Sequence, residues 1–238
     1  MIVAFENPGA PGSETLAKAL KAHRGLAMPA LPGRTNHLLA PVVLPLTRDG
    51  THLSLLATRR AATLAHHAGE ICFPGGKPEA RDQDLEATAR RELAEELGLE
   101  VGPILGKLSR IPLYTSDHRL VPFVAEVLSG QTPRPEQAEV AEVLELDLAS
   151  ELARERIEAI PFAIGELSGL APIFSPRRLD GSPQPALMYG ATAMATYELL
   201  SVLAPLYGRT AAPELVVSDH DWESVAATAK PPTPKESP

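Results

Sequence analysis

The chain has 238 residues, of which 44% are hydrophobic and 4% aromatic, and its formal net charge at pH 7 is −8. This length fits one sizeable domain, or one domain with extensions, whose core is filled mainly by aliphatic side chains. The negative charge argues against a broad nucleic-acid-binding face, so we expect no nucleic acid partner.

The first predicted elements are a short helix and a connector. Ser13 is a candidate cap for a helix over residues 14–23. A segment rich in proline and glycine follows. We therefore assign residues 1–35 to an N-terminal helix and a Pro/Gly connector.

Two strands come next. HLLAPVVLPL at 37–46 predicts a buried strand, and HLSLLATR at 52–59 predicts the strand that returns. Arg48-Asp49-Gly50 is typical of the turn between them. Residues 61–76 have no regular pattern and end in Pro74-Gly75-Gly76.

A helix is predicted from about Asp84 to Leu97. Asp82 or Asp84 can cap its start, and Gly98 favours a left-handed stop. The apolar runs that follow predict strands at 102–114, 119–128 and 138–146. Helices are predicted at 147–157 and 191–203, and the low hydrophobic density of 208–238 predicts a flexible C-terminal tail.

The chemistry is concentrated in RELAEELGL at 91–99, where three carboxylates fall within five residues. Glu95 and Glu96 follow Glu92 by three and four positions, which predicts that the three carboxylates can converge on one face of a helix, whereas Leu93 and Leu97 point toward a core. Like charges at this spacing are unfavourable unless a cation lies among them, and Mg²⁺ prefers such hard oxygen ligands. The alternative is a solvated acidic helix face.

The upstream residues favour the metal site. Gly75 and Gly76 allow a backbone to approach a ligand closely, and a carbonyl there can be a further metal ligand. The acidic loop KPEARDQD at 77–84 then leads into the helix. The Gly-Gly pair, the acidic loop and the acidic helix at these fixed spacings indicate a metal site more specifically than any one of them does alone.

The segment GGKPEARDQDLEATARRELAEELGL resembles the signature of the Nudix hydrolases, which is Gly, five residues, Glu, seven residues, then Arg-Glu-apolar-x-Glu-Glu-x-Gly-apolar. Residues 91–99 match at every defined position. The spacing from Gly76 to Arg91 is one residue longer than usual. Asp82 stands where an acid is expected, whereas counting back from Arg91 gives Gln83, so the role of Asp82 is open.

A second resemblance points to one branch of that family. LLATRRAATLAHHAGEICFPGG at 55–76 resembles the motif that precedes the signature in coenzyme A pyrophosphatases. The matching residues are Thr58, Arg60, Ala61, Gly69, Phe73, Pro74, Gly75 and Gly76. The second arginine of the motif is replaced by Ala65, and Arg59, His66 or His67 can substitute for it.

The resemblance implies an α+β fold: a Nudix-like α/β/α sandwich with a mixed central sheet and the signature loop-helix-loop. The Nudix domain is expected at 36–207. The implied activity is hydrolysis of a diphosphate in coenzyme A or its derivatives, giving 4′-phosphopantetheine and adenosine 3′,5′-bisphosphate. Mg²⁺ or Mn²⁺ is the implied cofactor, held by Glu92 and Glu96 and then Glu95.

The resemblance also implies roles for other residues. Arg91 orients a carboxylate, and the general base is Glu95 or Glu139, with Glu142 a weaker candidate. The implied substrate-binding residues are Arg60, Gly75 and Gly76.

Other functions remain open. One is a Nudix diphosphatase acting on ADP-ribose, a dinucleotide or a nucleotide sugar, which the loss of arginine at position 65 favours. The other is a non-catalytic Nudix-like module that senses a nucleotide.

Partners and location follow from simpler features. Cys72 is the single cysteine, which excludes an internal disulfide and fits a reducing cytoplasm. No uncharged apolar run approaches the roughly 20 residues needed to span a bilayer, and the N-terminus lacks a signal-peptide pattern. We expect a cytoplasmic protein with a small-molecule diphosphate substrate, no membrane partner and a possible homodimer.

Overall fold

A mixed β-sheet forms the centre of the protein, and the computed structural model describes residues 9–229. In chain order the elements are α1 (Ser13–Ala22), β1 (Leu38–Asp49), β2 (His52–Arg60), β3 (Ile71–Cys72), α2 (Leu85–Leu97), β4 (Val101–Lys107), β5 (Ile111–Pro112), β6 (His118–Val127), β7 (Val140–Asp147), α3 (Leu148–Ala153), β8 (Arg156–Ile164), β9 (Leu167–Pro172), β10 (Arg177–Arg178), α4 (Gly190–Leu203) followed by a 3₁₀ turn (Ala204–Tyr207), β11 (Glu214–Val217) and α5 (Trp222–Ala229).

The central sheet has the strand order β10-β7-β2-β1-β6-β4, with β3 paired to β2 and β5 paired to β6. The β1–β6 pair is parallel, with Leu38 opposite His118, and the other pairs of this sheet are antiparallel. The sheet is therefore mixed, which confirms the predicted fold class.

Helices cover both faces of this sheet. On one face, Leu93 and Leu97 of α2 pack in a cluster with Val43 of β1 and Phe123 of β6. The neighbouring Leu44 points the other way, into a larger cluster formed with α1, α3 and α4. Because successive strand residues point to opposite faces, these clusters define two layers of helix around one sheet, as an α/β/α sandwich requires.

Helix α2 has the predicted start and end. The carboxylate of Asp84 accepts a hydrogen bond of 2.8 Å from the Ala87 amide, and Gly98 closes the helix in the left-handed conformation with φ of 62°. Leu93 and Leu97 are fully buried. The helix is thus fixed at both ends and along its apolar face, which leaves its acidic residues in defined positions.

The predicted cap of α1 is wrong. Gly12 occupies the cap position, and the Ser13 hydroxyl instead donates to the Glu126 carboxylate at 2.7 Å. Leu16 and Leu20 are buried in the larger cluster, so the N-terminal helix belongs to the same core as the sheet.

The helix predicted over 147–157 is too long. Asp147 caps α3, which ends at Ala153, and the chain is extended at Arg154 before it enters β8. β8 pairs with β9 and β11 in a separate three-stranded sheet.

The C-terminal segment differs from the predicted flexible tail where it is described. β11 pairs in parallel with β8, and α5 buries Val225 and Ala229. Residues 230–238 lie outside the described residues, so the prediction for them has no structural counterpart here.

Candidate active site

The Gly75–Gly76 turn lies between β3 and helix α2 in the chain and packs against β1. Gly75 forms a β-bridge with Val42, and the Gly76 amide donates to the Pro41 carbonyl at 3.2 Å. A methyl group added at Gly75 would overlap the Pro41 carbonyl, and one added at Gly76 would overlap the Glu92 carboxylate. Glycine is therefore needed at both positions because backbone and carboxylate approach so closely.

Glu96 and Glu92 are the carboxylates that lie against this turn. Glu96 is 4% exposed, and one oxygen accepts a hydrogen bond of 3.1 Å from the Gly75 amide. The pKa of Glu96 is raised to about 7, mainly by burial and also by the charges of Glu92 and Glu139, while the Gly75 hydrogen bond and Arg60 oppose the rise. Burial also raises the pKa of Glu92, with Arg91 opposing the shift. Two acids are thus held in a setting that disfavours their charge.

Glu139 belongs to the same electrostatic environment. Its charge raises the pKa of both Glu92 and Glu96. Its side chain is exposed, while its backbone carbonyl accepts a hydrogen bond of 2.8 Å from the Ala61 amide. The structure therefore brings this predicted residue from the loop before β7 to the side of α2.

Glu95 is directed elsewhere. One carboxylate oxygen accepts from Arg91 and the other from Arg81, each at 2.9 Å, and the side chain is 49% exposed. The three signature acids therefore do not converge on one point in this structure. Sequence analysis missed Arg81, whose place between acids in the loop EARD was the available signal.

Arg91 organises the loop and the helix. Its guanidinium binds Asp82 through two hydrogen bonds of 3.0 Å, and it also donates to the Glu92 carboxylate at 3.0 Å and the Lys77 carbonyl at 3.2 Å. Asp82 further accepts from the Thr88 hydroxyl at 2.9 Å. The Arg91 hydrogen bonds hold the pKa of Asp82 well below its usual range. Asp82, in the longer loop, therefore positions Arg91.

Arg60 lies at the end of β2, near Glu96. Its charge opposes the rise in the pKa of Glu96, and its Nε is buried without a hydrogen-bond partner among the described residues. A hydrogen bond of 3.0 Å from its amide to the Glu70 carbonyl fixes its backbone. A buried guanidinium N–H without a partner is suited to donate a hydrogen bond to an oxygen of a bound ligand.

Two of the residues suggested as substitutes for the missing arginine have other partners. Arg59 donates to Glu142 at 3.1 Å, and His67 is within 2.9 Å of Glu70. His66 is exposed, as is Ala65 itself. The structure thus supplies no second arginine in the 61–70 loop.

Glu142 is held between two arginines. Arg59 and Arg178 donate to its two oxygens at 3.1 and 2.8 Å. Burial opposes the shift, but these hydrogen bonds leave the pKa of Glu142 below its ordinary value. This ion-paired acid is poorly suited to take a proton.

Cys72 lies close to the acidic residues but is not an activated nucleophile. Burial raises the pKa of its thiol to about 11, with Glu96 as a second cause. Its sulfur is 3.4 Å from the Thr58 hydroxyl. A thiol in this setting stays protonated and packs as a small apolar group.

The donor set fits a hard divalent cation. Glu92 and Glu96 present carboxylate oxygens beside a glycine backbone that leaves no space for a Cβ. Their pKa values are raised by burial and by the charges of neighbouring glutamates, and a cation beside the carboxylates would favour their charged forms. In residues 9–229 no three His, Cys, Asp or Glu side chains form a complete metal site. Mg²⁺ commonly uses one or two carboxylates together with water and substrate phosphate.

Comparison with known proteins gives consistent matches. Residues 36–163 match the family model of the NUDIX domain. The mouse mitochondrial coenzyme A diphosphatase NUDT8 is 38% identical over 179 residues, which cover 72% of this chain and 81% of that protein. The human mitochondrial coenzyme A diphosphatase NUDT8 is 36% identical over 193 residues, covering 78% of each. A solved MutT Nudix hydrolase from Burkholderia pseudomallei is 21% identical, with a TM-score of 0.41, and the match covers 68% of this chain and 96% of that one.

Proposed function

This chain is a member of the Nudix family, and we propose that it cleaves the diphosphate of coenzyme A or its derivatives with Mg²⁺ or Mn²⁺ held by Glu92 and Glu96. The expected products are 4′-phosphopantetheine and adenosine 3′,5′-bisphosphate. The observation that carries the proposal is the position of these two buried carboxylates against the Gly75–Gly76 turn. The substrate assignment is supported by the motif at 55–76 and by the similarity to two proteins named as coenzyme A diphosphatases.

The residues around the metal ligands have distinct tasks. A bound divalent cation supplies charge neutralisation for the diphosphate oxygens and lowers the pKa of water. The Gly75 amide fixes the orientation of Glu96, and Arg91 fixes that of Glu92. Because Asp82 holds Arg91, the signature loop and helix act as one preorganised unit.

Glu139 is the favoured general base. It is exposed to solvent, where a water molecule can reach it, and it lies within electrostatic range of both proposed metal ligands. Glu95 is already bound by Arg81 and Arg91. Glu139 can therefore accept a proton from the attacking water without first breaking an ion pair.

Arg60 is the proposed phosphate contact. Its buried Nε lacks a hydrogen-bond partner among the described residues, and its positive charge lowers the pKa of Glu96. A phosphate oxygen bound there would receive a charge-assisted hydrogen bond next to the metal ligands.

A second substrate class is favoured by one observation. The loop at 61–70 carries the exposed Ala65 where the coenzyme A motif has an arginine, and Arg59 is engaged by Glu142. Hydrolysis of ADP-ribose, a dinucleotide or a nucleotide sugar would not require that arginine.

A substrate panel with product identification tests the proposal. Coenzyme A, dephospho-coenzyme A, ADP-ribose, a dinucleotide and a nucleotide sugar are compared with Mg²⁺ and with Mn²⁺, using Glu96→Gln as the inactive control. We expect the highest kcat/KM for coenzyme A, with metal-dependent release of 4′-phosphopantetheine. A higher kcat/KM for ADP-ribose or another diphosphate would overturn the substrate assignment.

Three further predictions remain to be measured. They are the domain boundaries at 36–207, a cytoplasmic location and a homodimer. Among the helices at residues 9–229, none is long and apolar enough to cross a membrane.

A further inference from the structure

The loop at 61–70 is closed by hydrogen bonds between its two ends. The Arg60 amide donates to the Glu70 carbonyl at 3.0 Å, and the Gly69 amide donates to the Arg60 carbonyl at 3.2 Å. One residue earlier, Arg59 pairs with Ile71 in the β2–β3 ladder. The backbone of Arg60, the proposed phosphate contact, is therefore held directly by Gly69 and Glu70.

The last residue of helix α5 packs against this closure. Gly69 is buried in the left-handed conformation with φ of 74°. The nearest atoms to a methyl group added at Gly69 belong to the Ala229 backbone, and that methyl group would overlap the Ala229 carbonyl. Glycine is the residue that permits such a close approach of two backbones. The end of α5 therefore limits where Gly69 can lie.

Two contacts hold α5 in this position. Val225 is fully buried in a cluster with Ile160 of β8 and with Ile173. The Leu187 amide donates a hydrogen bond of 3.0 Å to the hydroxyl of Thr228, the residue before Ala229. Because these partners belong to β8 and to the segment before α4, the position of the end of α5 is set independently of the loop that it touches.

These contacts connect the C-terminal helix to the candidate site. Residues 36–163 match the NUDIX model, whereas α5 begins at Trp222. From Ala229 the connection runs through Gly69 to the backbone of Arg60, whose buried Nε lacks a hydrogen-bond partner among the described residues. A side chain that is fixed before it binds a ligand loses less conformational entropy on binding, so the affinity is higher.

We propose that helix α5 positions the substrate-binding loop: its last turn, at Thr228 and Ala229, fixes Gly69 and thereby holds Arg60 in place for a phosphate group. This inference rests on the proposed function, in which Arg60 contacts the substrate. The residues of α5 act only through Arg60. Loosening α5 is therefore expected to weaken substrate binding and to leave metal binding at Glu92 and Glu96 unchanged.

The first test releases α5 from the cluster. Val225→Asp places a charge among buried apolar side chains, and Ala227→Asp places the same charge on the exposed face of the same helix as a matched control. We expect the KM for coenzyme A to rise about tenfold in Val225→Asp, the scale of one charge-assisted hydrogen bond, with kcat changed by less than about twofold. Ala227→Asp should behave as the wild type.

A double-mutant cycle shows whether α5 acts through Arg60. When Arg60 is already replaced by alanine, Val225→Asp should cause no further rise in KM, because the side chain that α5 positions is absent. A further rise of the same size, or a loss confined to kcat, overturns the proposal.

Thr228 offers a milder variant if Val225→Asp does not fold. Thr228→Val removes the hydroxyl that accepts from Leu187 and keeps the shape of the side chain, whereas Thr228→Ser keeps the hydroxyl. We expect a KM about threefold higher in Thr228→Val, consistent with the loss of one neutral hydrogen bond, and a wild-type KM in Thr228→Ser. Equal KM values in the three proteins overturn the proposal.

Hydrogen exchange separates this inference from the proposed function, because it needs no substrate. We expect amides in 60–70 to exchange at least about threefold faster in Thr228→Val than in the wild type, with unchanged exchange in α2. If exchange in the loop rises but the wild type hydrolyses no diphosphate, the proposed function fails and the positioning by α5 stands. If exchange in the loop is unchanged, the positioning is wrong even when coenzyme A is cleaved.

Discussion

Glu95 and Glu96 are adjacent in the sequence but lie in opposite environments. Glu96 is buried against the Gly75–Gly76 turn, whereas Glu95 is half exposed and bound by Arg81 and Arg91. One step along a helix turns the side chain by about 100°, so one residue faces the sheet and the next faces the signature loop. The three signature acids are therefore not equivalent, because packing removes solvent from Glu92 and Glu96 and leaves Glu95 to pair with arginines.

The largest expected effect is the difference in activity between Glu96→Gln and Glu95→Gln. Glutamine preserves shape and removes charge. We expect Glu96→Gln to lower kcat/KM by on the order of 10³-fold, because a proposed metal ligand is lost, and Glu95→Gln by about tenfold. Steady-state kinetics with Mg²⁺ on the best substrate measures both. Equal losses would break the comparison by making Glu95 an equal partner in the site.

Gly76→Ala tests the close approach that keeps Glu92 in place. The added methyl group would overlap the Glu92 carboxylate, so that side chain or the turn must move. We expect a fall of about 10- to 100-fold in metal-dependent kcat/KM and weaker metal binding by calorimetry. Gly12→Ala is the matched control, because a methyl group there meets nothing within 4 Å. Wild-type metal affinity in Gly76→Ala would contradict this account.

The burial of Glu96 also has a cost in stability, which depends on pH. Its folded pKa is raised from 4.5 to about 7, so the folded state holds a proton that the unfolded state releases between these values. The stability contributed by Glu96 is therefore lost as pH rises from about 4.5 through 7.

In the metal-free protein, Glu96→Gln should have little effect on stability at pH 4.5 and should stabilise the fold at pH 8 by on the order of 3 kcal/mol. Urea unfolding in the presence of a chelator measures the difference. Added Mg²⁺ should stabilise the wild type more than the variant. A variant that is less stable than the wild type at pH 8 without metal would show that the Glu96 charge is already compensated.

The smallest expected effect belongs to the exposed side of the helix. Arg81 is 62% exposed and Glu95 49% exposed, so their ion pair is well screened by solvent. Arg81→Ala should change the free energy of unfolding by less than about 1 kcal/mol and activity by less than about twofold. Urea unfolding and steady-state kinetics measure these values. A loss of tenfold or more in activity would mean that the two sides of the helix are coupled more strongly than their exposure indicates.

Much of the fold could be predicted from local patterns. Helix α2 was predicted with both ends because Asp84, Leu93, Leu97 and Gly98 carry the signals for a cap, an apolar face and a stop. The second sheet could not be predicted in the same way. β8 follows α3 after only two residues, and the sequence has no stop signal between them. Only pairing with β9 and β11 therefore distinguishes a strand from a longer helix.

The candidate site divides in the same manner. The spacing of Glu92, Glu95 and Glu96 and the Gly75–Gly76 pair could be read directly, since both depend on local geometry. The role of Asp82 could not, because its partner Arg91 is nine residues away and meets it only when the loop folds back on the helix.

The sequence by itself determined the signature helix, the glycine turn that faces it and membership in a family of metal-dependent hydrolases. A helix cap, an apolar stripe and a Gly-Gly turn each depend on residues that are close in the sequence, so they can be predicted without knowledge of the fold. Only the tertiary structure decided which acids lose their solvent and which arginines hold Glu95 and Glu142. Desolvation and charge pairing depend on residues that are distant in the chain, so the spacing of residues along the sequence does not predict either effect.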